Sequence, residues 1–97
     1  MKIAELTDPA AVERAIKEYD ELGRDAFLHR YGFGPAVFYD LVHAGRKYDP
    51  KAIAGVAYGY QYPDRGPLTC KQFHSGKDTI RALDRMGFSV VHRPGTD

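Results

Sequence analysis

A single cysteine, Cys70, stands in 97 residues. That is too few for an internal disulfide, and it fits a reducing, cytoplasmic setting. No apolar run approaches the roughly 20 residues that a membrane-spanning helix needs. The opening residues, Met1-Lys2-Ile3-Ala4-Glu5, lack the apolar core of a secretory signal. Repeats, low-complexity tracts and an interdomain linker are missing too. These absences argue against a secreted, disulfide-stapled or membrane-embedded protein. The length leads us to expect one domain over residues 1–97, a size that buries roughly 60–65% of the unfolded chain's surface.

Hydrophobic residues make up 43% of the chain and charged residues 28%, the balance of a folded globular domain. Net charge is only +1, yet it is unevenly spread. Residues 1–45 carry five Lys/Arg against eight Asp/Glu, a balance of −3. Residues 46–97 carry nine against five, a balance of +4. Such an asymmetry suits a polyanion contacting the second half, although a small domain can also divide its charges this way by chance.

Helix punctuation recurs along the chain. Asp8 caps and Pro9 opens a first helix, whose stripe Val12, Ile16, Tyr19 and Leu22 runs to a stop at Gly23. Residues 24–31 form a second, closed by Gly32, and residues 36–44 a third, entered at Pro35 and ended by Gly45. Asp49 caps and Pro50 opens a fourth, with Ile53, Val56, Ala57 and Tyr60 on its apolar face. Gly55 and Gly59 inside it lower helix stability by up to about 1 kcal/mol each, and their spacing admits the close approach of another backbone or a ligand. Residues 68–73 read equally as a strand or a helical turn. In the last helix Ser75 caps, and Ile80, Leu83 and Met86 form the stripe. Gly87 ends it in the left-handed conformation, with Phe88 folded back on Leu83. A short strand follows at residues 88–91. The expected fold is mainly α, about five short helices with a C-terminal strand.

Catalytic and metal chemistry find little support. The four histidines are scattered, and Cys70-x-x-x-His74 is at most half a zinc site. Pro63-Asp64 followed by Lys71 lacks the acidic residue that a metal-dependent nuclease pattern needs two positions before the lysine, where Thr69 stands. Gly76-Lys77 lacks the upstream glycine of a phosphate-binding loop. We therefore expect no enzyme centre, metal or cofactor.

What remains is a basic surface. Arg46 and Lys47 precede Tyr48, and Lys51 follows on the first turn of the fourth helix. Lys71 and His74 flank Phe73. Lys77, Arg81 and Arg85 are spaced by four and so share one helical face, a row able to meet successive phosphates. An ordinary solvated face has the same look, and Asp78 and Asp84 interrupt this one. Of Tyr58, Tyr60 and Tyr62, which spread around more than one helical face, Tyr60 is expected in the core.

The run Gly45-Arg46-Lys47-Tyr48-Asp49-Pro50-Lys51-Ala52-Ile53-Ala54-Gly55, with Phe27-Leu28-x-x-Tyr31-Gly32-Phe33 before it and Phe73-x-x-Gly76 and Leu83-x-x-x-Gly87-Phe88 after it, resembles the N-terminal head domain of McrA-like, modification-dependent HNH restriction endonucleases. The resemblance spans residues 10–91. Ser75 stands where the family carries a second glycine. In that family the head precedes domains that read modified DNA and an HNH nuclease that cuts it. None of those lies in these 97 residues, so cleavage is not carried over. The resemblance implies a DNA-associated module that senses a modified base or holds the duplex for a neighbouring nuclease, and it singles out Lys47, Tyr48 and Lys51.

Together these readings point to a cytoplasmic accessory module of a modification-dependent restriction system that binds double-stranded DNA and is not itself an enzyme. Arg46, Lys47, Lys51, Lys77 and Arg81 would contact phosphates, with Tyr48 and His74 at a sugar or base, and Lys71 belongs to the same DNA-binding set. The alternative is a docking or dimerisation module that regulates or positions an HNH nuclease, or pairs with a second copy of itself, through residues 58–62. Lys51→Glu is expected to weaken duplex binding severalfold; unchanged affinity at low salt removes Lys51 from the interface.

Overall fold

The computed structural model describes residues 2–73 and 76–93. A single 3-10 turn at Ile3–Glu5 leads to α1 (Pro9–Leu22) and α2 (Arg24–Tyr31). A hairpin of β1 (Tyr39–His43) and β2 (Arg46–Tyr48) follows, then α3 (Pro50–Gln61), α4 (Lys77–Arg85) and β3 (Ser89–His92). The three strands form one antiparallel sheet in the order β2-β1-β3. The expectation of about five helices and one strand is thereby corrected: among the described residues the fold is mixed, four α-helices beside a small sheet.

The error lies at residues 36–44, which are not a helix. Tyr39 to His43 is rich in aromatic and branched side chains, which favour a pleated strand. Leu41 is buried and pairs with both Tyr48 and Val90. Ala44 and Gly45, with φ of 51° and 78°, form the two-residue turn whose twist suits a hairpin. Residues 68–73 are neither strand nor helix but a loop, pinned by buried Leu68 and Phe73.

The outer helices match their punctuation. Asp8 accepts a hydrogen bond from the Ala10 amide at 3.0 Å, and Gly23 ends α1 with φ 87°. Ala11, Val12, Ala15, Ile16 and Tyr19 turn one face of α1 onto α3. Gln61 at the far end of α3 reaches back, accepting from the Thr7 and Asp8 amides at 2.9 and 3.0 Å. After α4 the Phe88 amide donates to the Leu83 carbonyl at 3.0 Å across Gly87, the wrap-back expected of that glycine. The expected cap at Ser75 lies outside the described residues, as do His74 and residues 94–97.

α3 is the centre of the molecule, buried continuously from Ala52 to Tyr58. Its glycines serve close approach. A Cβ on Gly59 would lie 2.5 Å from the Pro67 nitrogen, and one on Gly55 would lie 2.9 Å from the Leu68 carbonyl oxygen. The loop thus lies directly on the helix, and the Leu68 amide donates to the Gly55 carbonyl at 3.0 Å. The core tyrosine of this helix is Tyr58, fully buried, whereas Tyr60 is only half-buried; the expectation for Tyr60 is corrected accordingly.

Gly59→Ala gains up to about 1 kcal/mol of helix propensity but drives a methyl into backbone that cannot rotate away. We expect a net loss of about 1–3 kcal/mol, read as a lower midpoint in urea unfolding. A midpoint equal to or above that of the native chain would contradict this packing.

Candidate nucleic-acid interface

Asp49 stands immediately before Pro50, where it reads as a helix cap, but its side chain does not cap α3. It turns inward and accepts four hydrogen bonds: from the Tyr19 hydroxyl at 2.6 Å, from Arg24 Nε and Nη2 at 3.0 and 2.9 Å, and from the Ala36 amide at 2.8 Å. Burial alone raises a carboxyl pKa. Here the bonds from Arg24, Ala36 and Tyr19 outweigh burial and hold Asp49 below the usual carboxylate value. Tyr19 is pushed up in turn, by burial first and then by its bond to the carboxylate.

A second ion pair lies alongside. Arg93 donates to both oxygens of Asp40, at 2.6 and 3.2 Å, and lowers the pKa of that carboxyl. Its Nη1 also reaches the Ala36 carbonyl at 3.1 Å, and its amide the Phe38 carbonyl at 2.7 Å. Both ion pairs therefore grip one short stretch of backbone, residues 36–38. They border a cavity of about 310 Å³ that Lys47 also lines.

The expected DNA-contacting residues are not all together. Arg46, at the hairpin end, is ion-paired to Asp20 at 3.4 Å. Lys47 is exposed beside the ion cluster. Tyr48 is buried at 3% exposure with its hydroxyl on Asp20 at 2.9 Å, so it joins β2 to α1 instead of facing solvent. Lys51 is half-buried, donating to the Cys70 carbonyl at 2.7 Å with its ammonium 5.3 Å from the Phe73 ring. Lys71 is exposed on the loop. Lys77 and Arg81 are exposed on α4, in line with exposed Arg85. The structure thus brings Lys51 and the start of α4 together: Lys51 and Gly76 line one cavity of about 410 Å³, and Lys77 borders its neighbour. Arg46 stands apart.

Sequence reasoning missed Arg24, Asp40 and Arg93, whose partners are 25 to 53 residues distant, and it missed the exposure of Val37 and Phe38, each 56%. The only signal for the latter was their place after Gly34-Pro35. The tyrosines of the 58–62 segment are engaged within the chain. Tyr58 donates to Glu5 at 3.0 Å, Tyr60 to Glu18, and Tyr62 to the Glu5 carbonyl at 2.8 Å. Among the described residues no group of His, Cys, Asp and Glu could hold a metal ion, and no helix is long and apolar enough to cross a membrane.

Comparison with known proteins gives two findings. The family model described as the ScoMcrA-like N-terminal head domain matches residues 4–92. A solved structure, that of the type IV phosphorothioation-dependent restriction endonuclease ScoMcrA, is similar with a TM-score of 0.68 and 32% identity, over 93% of this chain and 14% of that one. The chain thus spans about one seventh of that endonuclease. No curated protein matches at a significant level.

Since Asp49 and Asp40 both have folded pKa values below their unfolded ones, the stability they contribute is fully present above pH ~4 and is lost as pH falls further. Asp49→Asn is expected to cost about 2 kcal/mol at neutral pH, less than a fully buried pair because 44% of the Arg24 side chain is exposed. It should also flatten the acid limb of the stability–pH curve. An unchanged acid limb, measured by urea unfolding between pH 2 and 7, would place the titration elsewhere.

Proposed function

Because the chain belongs to the family of ScoMcrA-like N-terminal head domains, we propose that it serves a restriction system as a DNA-contacting module with no catalysis of its own. The observation that supports this most directly is how its cations are divided. Arg24, Arg30, Arg46, Arg65 and Arg93 are ion-paired. Lys77, Arg81 and Arg85, like Lys2, Arg14, Lys17, Lys47, Lys51 and Lys71, form no ion pair among the described residues, and these three lie exposed along one face of α4.

A row of unpaired cations costs the fold some self-repulsion and contributes little packing. It suits a phosphate backbone, which rewards each neutralising contact by counterion release. Lys51 and Lys71, on the loop side, extend this surface, and Lys47 adds to it from the sheet. Arg46 and Tyr48 have partners of their own in Asp20 and are left out of the proposed contact. Residues 58–62 offer less to a protein partner, because their three tyrosine hydroxyls are bonded internally.

The similar endonuclease is described as phosphorothioation-dependent, so plain and phosphorothioated duplexes are the probes of choice. The native chain is expected to bind duplex in a salt-sensitive way. Lys77→Glu combined with Arg81→Glu should weaken binding at low salt tenfold or more and reduce the log K–log salt slope by about 2, close to 0.9 per lost phosphate contact. Fluorescence anisotropy at two salt concentrations reads both quantities. A native chain that binds neither duplex at low salt overturns the reading, and an unaltered slope in the double variant removes α4 from the interface.

A further inference from the structure

The two buried ion pairs converge on residues 36–38, and what those residues present is apolar. The Ala36 amide is held by Asp49 and the Ala36 carbonyl by Arg93, while the Phe38 carbonyl takes the Arg93 amide. Val37 and Phe38, carried on this clamped backbone, are each 56% exposed and are the most exposed of the large hydrophobic side chains described. A flexible linker would need no such anchoring. Rigid backbone under outward-facing apolar groups is the arrangement of a preorganised contact.

Phe38 also borders the 410 Å³ cavity, whose walls include Pro35, Tyr39 and Pro50. The volume lies within the roughly 300–1,000 Å³ of ligand sites, and its mainly apolar lining, with two prolines and two aromatic rings, suits a planar ring. Among the described residues Asp49 is the one carboxylate at this cavity, and it is buried and already accepts four hydrogen bonds. The cation in the wall is the half-buried Lys51, whose ammonium also sits on the Cys70 carbonyl. Lys47 is exposed at the adjoining cavity that shares Asp49, and Lys77 and Asp78 border the one that shares Gly76. Gly76, directly before Lys77, completes the wall, so the cavity opens where the α4 row begins. An apolar slot with Lys51 in its wall and Lys77 at the adjoining cavity is complementary to a base attached to phosphates.

We propose that this cavity takes a nucleobase standing out of the DNA stack, with Phe38 as its stacking face. The proposal rests on the DNA-contacting reading and specifies what that surface recognises. The phosphates flanking the extruded base would lie toward Lys51 and Lys77, and Phe38 would replace the stacking that the base loses on leaving the duplex. Base–aromatic stacking tolerates any base, because every base has a π-face.

The test uses the full chain and three short duplexes: fully paired, with a one-nucleotide bulge, and with the same bulge lacking its base. The native chain should bind the base-bearing bulge about tenfold more tightly than the abasic one. Phe38→Ala should abolish that preference while keeping the affinity for the paired duplex, and Phe38→Tyr should retain it. Because Phe38 is exposed, circular dichroism should show Phe38→Ala folded. Equal binding of the two bulges by the native chain overturns the base pocket and leaves the DNA reading standing. A preference that survives in Phe38→Ala overturns the stacking role. Failure to bind any of the three at low salt overturns the DNA reading and this proposal together. A dimer by light scattering that Phe38→Ala dissolves, with no bulge preference, would assign the face to a second copy of the chain and overturn the proposal.

Discussion

The Asp49 carboxylate is where the fold is tied together. A buried carboxylate is costly unless charge and hydrogen bonds surround it, and its donors come from three separate parts of the chain: Tyr19 of α1, Arg24 at the start of α2, and Ala36 before β1. One side chain at the entrance to the central helix therefore fixes how α1, α2 and the approach to the sheet sit around α3. Asp40 and Arg93 repeat the device from the sheet side, also on Ala36. Four of the six remaining tyrosines follow the same chemistry on a smaller scale, with Tyr48 on Asp20, Tyr58 on Glu5, and both Tyr31 and Tyr60 on Glu18. Four of the eight acidic residues in the first half of the sequence, Glu5, Glu18, Asp20 and Asp40, are thus engaged internally by hydroxyls and guanidiniums. The positive balance of the second half is less fully answered, and three of its six cations without an ion pair among the described residues, Lys77, Arg81 and Arg85, lie on α4.

The features legible in the sequence were those with local causes. Asp8-Pro9, Gly23 and Gly87 act within one turn of backbone, so α1 and the end of α4 could be read directly. The row of Lys77, Arg81 and Arg85 follows from helical spacing alone. The close approach at Gly55 and Gly59 followed from their having no side chain, though not which segment would arrive. What stayed hidden depends on distant partners. Asp49 before Pro50 has the pattern of a cap, and only the guanidinium 25 residues earlier turns it inward. Residues 39–43 carry strand propensity, but the glycine after Ala44 looked like a helix end. Tyr58 and Tyr60 differ in burial because of what packs on α3, which their own spacing does not reveal.

Membership in the head family and the geometry of the surface bear on different questions. The family identifies the chain as a ScoMcrA-like N-terminal head domain and says little about which face makes contacts. The distribution of paired and unpaired cations addresses the face. Of the residues first singled out, Lys51 and Lys77 border adjoining cavities that share Gly76, with Arg81 one turn further along α4, while Arg46 and Tyr48 belong to the junction between the hairpin and α1. His74 lies outside the described residues.

The turn at Ala44 bears on how the molecule is built. Alanine at φ 51° is an unfavourable choice for a position that asparagine or glycine fills more readily, so the hairpin gains little from its own turn. The other side of the sheet is no more local, since Tyr39 pairs with His92, 53 residues away. Loops of that length close late and slowly compared with helices. Arg93 follows β3 directly, so it reaches Asp40 and the Ala36 carbonyl only through this long-range pairing. Any opening of β3 therefore releases one of the two clamps on residues 36–38. The stiffness of the apolar ridge at Val37 and Phe38 is thus set by how often the last strand lets go.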